Sequence, residues 1–407
     1  MGRGSAWWHG STAAQSRTPR WSWRAAYGCR LDRRLCAAGD TGCRARHITG
    51  DLRSRAAWGK LVGWASGCAE PPRLIDMWSD ELARARLHVV TGKGGTGKTT
   101  VAAALAVALA SGGRRTLLVE VEGRQGIAHL FDIPPLPYQE RRIAVAPGGG
   151  EVRALAVDAE EALLDYFTMF YNLGFAGRTL RRMGAIEFAT TLAPGLRDVL
   201  LTGKVKEAAT RATNGIRTYD AVVLDAPPTG RVVRFLDVTR AMADLAKVGP
   251  IHNQSKGVVR LLHSADTAVH VVTLLEDMPV AETLDTVAEL DLADLRPGAV
   301  LVNRARPSRL PAQSVTAAAN GQVHADRVRA GLLAAGLDLE PDVLDGLVAE
   351  TVEHAMRADA ERHARSRLAD AGMPLIEIPE LTEAGGDGVD LGGIYELAEA
   401  LREQGVR

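Results

Sequence analysis

From residue 87 onward, short apolar runs alternate with longer stretches of mixed, helix-like character. Apolar runs of strand length predict strands at 87–90, 116–121, 152–157, 221–224, 268–274, 299–302 and 375–378. These runs are nearly continuous rather than alternating, which marks strands covered on both faces. The pattern therefore predicts an α/β fold built on a doubly wound, mainly parallel sheet. Helical stretches follow at 101–110, at 323–371, which is charged and Ala-rich, and at 393–402. Between 158 and 219 lie about 60 residues of helix-like sequence with no convincing strand, too much for one crossover helix, and they predict an inserted helical subdomain.

The first 76 residues are a different kind of sequence. All seven tryptophans and all four cysteines of the chain lie before residue 79. The segment holds 13 Lys and Arg against 5 Asp and Glu, leaving 36 against 44 of the 49 of each sign for the rest. It has no helical or strand periodicity and no apolar core of the length a signal peptide needs. The expectation is a disordered basic extension over 1–76 followed by one domain over 77–407. A basic arm that touches nucleic acid or anionic lipid, or a start assigned upstream of Met77, fits the same composition.

Cysteine spacing excludes one chemistry. Cys29, Cys36, Cys43 and Cys68 contain no Cys-x-x-Cys pair and match no zinc-ligand pattern. No run approaches the roughly 18 apolar residues of a membrane span. A cytoplasmic body is expected. Its acidic balance argues against nucleic acid as a partner, and Glu396, Glu399 and Glu403 deny the last helix a basic membrane-binding face, leaving at most peripheral membrane association.

The strand at 87–90 runs into Thr91-Gly92-Lys93-Gly94-Gly95-Thr96-Gly97-Lys98-Thr99-Thr100, and a small-residue helix follows at once. This is Gly-x4-Gly-Lys-Ser/Thr in its strand-to-helix setting, a P-loop. The residues from Gly92 to Thr100 form the candidate nucleotide cradle, with glycines letting successive N–H groups turn inward to the phosphates of ATP. Lys98 reaches the β and γ phosphates, and the Thr99 hydroxyl ligates Mg2+. A P-loop NTPase also needs a carboxylate at the end of a neighbouring strand. Asp225, closing the run Ala221-Val222-Val223-Leu224, supplies it and reaches the metal indirectly, and Ala226-Pro227-Pro228-Thr229-Gly230 follows as a rigid turn.

Lys93 departs from an ordinary P-loop. The form Lys-Gly-Gly-x-Gly-Lys-Thr resembles the deviant Walker A family, which includes the arsenite-pump ATPase, the ATPase that targets tail-anchored membrane proteins, and the MinD, ParA and nitrogenase iron-protein ATPases. The segment from Asp225 to Arg231 looks like switch II of the arsenite-pump and tail-anchored branch. The stretch 117–131 matches that branch's switch I in length, Pro194-Gly195-Leu196 precedes a helix as in the family, and Asn303 after a strand is similar to its adenine-reading asparagine. The resemblance covers about residues 86–403 and looks nearest to actinobacterial ArsA-like anion-transporting ATPases, which are commonly encoded beside a paralogue.

The resemblance implies a nucleotide-sandwich dimer in which Lys93 crosses to the other subunit's ATP, a homodimer or a heterodimer with a paralogous ATPase. It implies that the carboxylate of Glu122 positions the attacking water. Where the family reads Asp-Pro-Ala-His, this chain reads Glu122-Gly123-Arg124-Gln125, one methylene longer, so either Glu122 serves or hydrolysis is impaired. Arg124 and Arg231 act as arginine fingers or as surface ion-pair partners. Leu163, Leu164, Tyr166, Phe167, Met169, Phe170, Tyr171, Leu173 and Phe175 gather apolar bulk in the insert, either lining a groove for a hydrophobic protein client or filling the insert's own core. Two functions follow: a dimeric ATPase whose cycle controls a protein or membrane client, or a catalytically weak partner subunit that regulates a paralogue.

Overall fold

The computed structural model describes residues 78–171, 195–237, 250–381 and 389–407, with side chains at 166–171, 196 and 250–254 left out. The extension over 1–76 and the aromatic run beyond Asp165 therefore lie outside what is described.

Among the described residues, eight strands form one sheet: β1 (Leu87–Gly92), β2 (Arg115–Glu120), β3 (Arg141–Ala146), β4 (Gly150–Ala156), β7 (Ala221–Asp225), β8 (Thr267–Thr273), β9 (Pro297–Ala305) and β10 (Leu375–Pro379). Their order is β10-β9-β8-β1-β7-β2-β4-β3, every pair parallel except the terminal β4–β3 hairpin. The predicted doubly wound α/β sheet is thus present. One strand departs from the sequence reading. Residues 141–146 pair as an edge strand whose outer residues face solvent, so the run lacks the continuous apolar character of its neighbours. A two-residue hairpin, β5 (Ala212–Thr213) with β6 (Ile216–Arg217), also breaks the span read as wholly helical.

Both faces are covered. On one, α2 (Lys98–Ala110) buries every residue from Val101 to Ala110, because α12 (Leu391–Glu403) lies over it with Ile394, Leu397, Ala398 and Leu401. Alanine is the residue that lets a helix sit this close to a sheet and another helix at once. On the other, α5 (Leu196–Thr210), α6 (Thr229–Leu236) and α7 (Pro250–Leu262) share a core with Leu87 and Val89 of β1, the odd-numbered residues of β2, the even-numbered residues of β7 and Val269 and Val271 of β8. The first turns of α4 (Ala159–Tyr171) join them through Ala162, Leu163 and Leu164. The described helices of the 158–219 span therefore belong to the sheet's covering layer. Residues 172–194 lie outside the description.

Beyond β8, α8 (Asp277–Leu292) returns to β9, and α9 (Ala312–Ala319), α10 (Ala325–Ala334) and α11 (Pro341–Ala369) lie between β9 and β10. α10 buries no residue, while α11 contributes Ala364 and Leu368 to a small core with Val300 and Val302. Trp78 seals the start of the described chain. It is fully buried and stacks on His88 of β1 and His270 of β8, which face each other at 3.1 Å.

Candidate functional site

In open α/β sheets a ligand crevice forms beyond the carboxyl ends of the strands. Here those ends bring together the loop 93–97, the ends of β2 and β7, and the turn after β7. β1 occupies the middle of the sheet, and its Val90 is in register with Asp225 of β7. Thr91 Oγ1 donates to Pro227 O at 2.7 Å and Ala226 N to Val90 O at 2.9 Å, so the phosphate loop and the turn after Asp225 are fixed to each other.

The loop is shaped by two close approaches. A Cβ on Gly92 would come within 2.2 Å of Val272 O, and one on Gly97, whose φ is +84°, within 2.4 Å of Asn303 Nδ2. Glycine at both positions follows from backbone geometry. Thr96 closes the loop by donating its hydroxyl to Lys93 O at 2.9 Å. Asn303, 7 % exposed, donates Nδ2 to Thr96 O at 2.8 Å and accepts at Oδ1 from Arg304 N at 3.0 Å. Its amide thus ties the end of β9 to the phosphate loop.

Lys98 and Thr99 open α2 and face the strand ends. Lys98 Nζ donates to Lys93 O at 3.4 Å. Partial burial holds its pKa below the ordinary lysine value, against the opposing pull of Asp225 and Glu122. Thr99 Oγ1 donates to Asp225 Oδ2 at 2.7 Å. Asp225 is 8 % exposed, and burial first, then the nearby Glu120 and Glu122, push its carboxyl up to about 6 despite the Thr99 bond and Lys98. A hydroxyl and a carboxylate at contact are hard oxygen donors of the kind Mg2+ takes, and a half-buried lysine suits a polyphosphate. The residues fit a magnesium nucleotide.

Glu122 lies at the rim between two cations. Arg231 Nη1 sits 3.3 Å from its Oε1 and Arg124 Nη2 3.4 Å from its Oε2. Lys93 points to its own chain: its Nζ is 2.9 Å from Glu282 Oε1 on α8, and Glu282 Oε2 accepts from Thr229 Oγ1 at 3.3 Å. Glu282 therefore bridges the phosphate loop and the turn after β7. The sequence reading did not single it out, since a Glu on an amphipathic helix looks like any solvated acid.

Glu120 also escaped it. This carboxylate is 3 % exposed, in register with Asp225 across the β2–β7 pair. The only signal was an acid inside an otherwise apolar strand, Leu117-Leu118-Val119-Glu120-Val121.

Comparison with known proteins identifies the family. The family model described as anion-transporting ATPase matches residues 85–265, which include the phosphate loop, Glu120, Glu122 and Asp225. ATPase BagA of Mycobacterium tuberculosis (strain H37Rv) is 59% identical over 331 residues, covering 81% of this chain and 96% of BagA. A protein of Prosthecochloris vibrioformis, whose name refers to an arsenical pump-driving ATPase, is 30% identical over 185 residues, 44% of this chain and 41% of its own. With an α/β sheet, a P-loop in its structural setting and a relative matched over nearly its whole length, this chain belongs to the ArsA-type anion-transporting ATPase family.

Proposed function

We propose that the chain is a magnesium-dependent ATPase acting as a nucleotide-sandwich dimer, whose ATP cycle controls its hold on a protein or membrane client in the cytoplasm. The observation that carries this reading is the convergence of Lys98, Thr99 and Asp225 on one point beyond β1 and β7. Bound magnesium supplies charge neutralisation for the β and γ phosphates. Around it, Lys98 and the loop amides bind and orient the polyphosphate, Thr99 and, indirectly, Asp225 hold the metal, and Glu122 orients water. Glu282, bonded to both Lys93 and Thr229, supports coupling between nucleotide state and the segment leading into α6.

A second reading has its own support. Glu122 is clamped by Arg124 and Arg231, so its carboxylate is committed to two cations rather than to water. A chain that keeps this clamp with ATP bound is a weak hydrolase that regulates a paralogous ATPase in a heteromer.

Pumping of arsenite is disfavoured. Trivalent arsenic is soft and prefers thiolates, and residues 69–407 contain no cysteine. Among the described residues no helix is long and apolar enough to cross a membrane. As for the client, Leu163 and Leu164 serve the core beneath α4.

Sedimentation of the full chain with Mg2+ and a non-hydrolysable ATP analogue tests the dimer. Nucleotide-dependent dimerisation lost in Lys93→Ala, with nucleotide binding retained, is expected. A monomer at every nucleotide concentration overturns the homodimer and leaves the heteromer, which the paralogue added in the same experiment would reveal.

A further inference from the structure

The β2–β7 pair carries two carboxylates where one would serve. Glu120 and Asp225 are in register on adjacent parallel strands. Leu118 and Val223, two residues before them, both face the α2 side of the sheet, so the pleat sends Glu120 and Asp225 to that side too. α2 begins there with Lys98 and Thr99.

Glu120 uses one oxygen. Its Oε2 accepts from Ile127 N at 3.2 Å, the second residue of α3 (Gly126–Leu130), which belongs to the segment corresponding to switch I. Among the described residues its Oε1 is buried without a hydrogen-bond partner. The same helix touches the metal-binding threonine, since a Cβ on Gly126 would lie 3.2 Å from Thr99 Cγ2. Glu120, α3, Thr99 and Asp225 thus line one small volume.

A buried carboxylate oxygen with no donor is costly. A buried acid beside a second acid is costlier, because like charges repel in a poorly screened site. Both costs end if a cation and its water ligands enter. Magnesium suits this arrangement because it binds few protein oxygens and keeps several waters, each of which presents hydrogens outward. Among the described residues no group of three or more His, Cys, Asp or Glu could hold a metal outright, so an outer-shell role is what the geometry leaves for Glu120.

We propose that Glu120 is a positioning residue of the metal shell, its free Oε1 accepting a hydrogen bond from water on the magnesium that Thr99 and Asp225 hold, while Oε2 reports that state to α3. The proposal rests on the magnesium-nucleotide reading above. It makes the metal, and not nucleotide alone, the ligand whose binding depends on Glu120.

The test uses the full chain, Mn2+ as the metal probe and ADP as the nucleotide. Free Mn2+ is followed by electron paramagnetic resonance in wild type and Glu120→Gln, and ADP binding is measured separately in EDTA. Ile127 N–H holds the amide oxygen, so glutamine presents its NH2 where Oε1 stood and turns an acceptor into a donor. Mn2+ affinity in the presence of ADP should fall about 10- to 100-fold, as for other outer-shell partners of metals. ADP affinity in EDTA should stay within about twofold, a margin small beside a tenfold change in binding constant. Unchanged Mn2+ affinity overturns the proposal, and so does an equal loss with and without metal, which marks a role in shape alone. Glu120→Ser, whose shorter side chain leaves space for a water, carries the same comparison if the glutamine variant does not fold. Absence of metal-dependent ADP binding in the wild type would refute the magnesium-nucleotide reading itself, an outcome separate from any behaviour of the variants.

Discussion

Thr99 Oγ1 donates to Asp225 Oδ2 at 2.7 Å, joining the first turn of α2 to the end of β7 across the strand ends. The bond sets side by side the hydroxyl that would ligate magnesium and the carboxylate that would reach it indirectly. Thr99→Val keeps the shape and deletes the oxygen. If Thr99 ligates magnesium as proposed, losing that oxygen costs several kcal/mol of transition-state stabilisation, about a hundredfold or more in turnover. A rate assay over a range of Mg2+ should show the loss, with more Mg2+ needed for half-maximal activity.

Lys93 is held within its own chain by Glu282 at 2.9 Å. To reach a partner's nucleotide, the lysine must leave this carboxylate. Both side chains are about one-third exposed, so solvent screening keeps the pair to roughly 1 kcal/mol or less. Glu282→Gln should leave the melting temperature nearly unchanged and lower the nucleotide concentration at which the dimer forms. Sedimentation reads the second effect. Weaker dimerisation in the variant would show that Glu282 supports the assembled state.

Glu122 separates the two functional readings. If its carboxylate leaves Arg124 and Arg231 to orient water, Glu122→Gln should lower kcat by about 10²- to 10⁴-fold, as for other groups that assist proton transfer, with little change in KM. A variant as active as wild type would remove Glu122 from the mechanism and leave the two arginines as its purpose.

Much of this was legible from residues alone. Glycine at 92 is required by the close approach of Val272 O, and glycine at 97 by a φ of +84° and the Asn303 amide beside it. Strands buried on both faces announce themselves as apolar runs, and each of the seven runs in the sequence became a strand of the sheet. The edge strand β3 did not, because Arg141, Arg142 and Val145 face solvent. Glu282 and Glu120 were hidden for different reasons. The role of Glu282 depends on α8 folding back against the phosphate loop, a long-range contact with no local signature. That of Glu120 depends on register with Asp225, which no single strand encodes.

The buried histidine pair sets a pH dependence remote from the phosphates. Ala299 N–H donates to His270 Nδ1 at 3.0 Å, which places the His270 proton on Nε2, facing His88 Nδ1. Burial pushes His88 down to about 4 and His270 well below its usual value. Between about 6.5, where imidazoles of the unfolded chain gain protons, and 4, the folded pair stays neutral. Unfolding therefore takes up protons, and stability falls as pH drops through this window by about 1.4 kcal/mol per pH unit for each histidine. Denaturant titrations from pH 7 to pH 4.5 should show His270→Gln losing about half of the pair's contribution to that slope, one of two titrating groups having gone.

The most direct test of the central claim is ATP turnover by the full chain with Mg2+, beside Lys98→Ala and beside wild type in EDTA, with nucleotide binding measured in each. Turnover in wild type that disappears in both comparisons is the predicted result; hydrolysis by Lys98→Ala at the wild-type rate, or a wild type that binds no ATP, would contradict the assignment of this site.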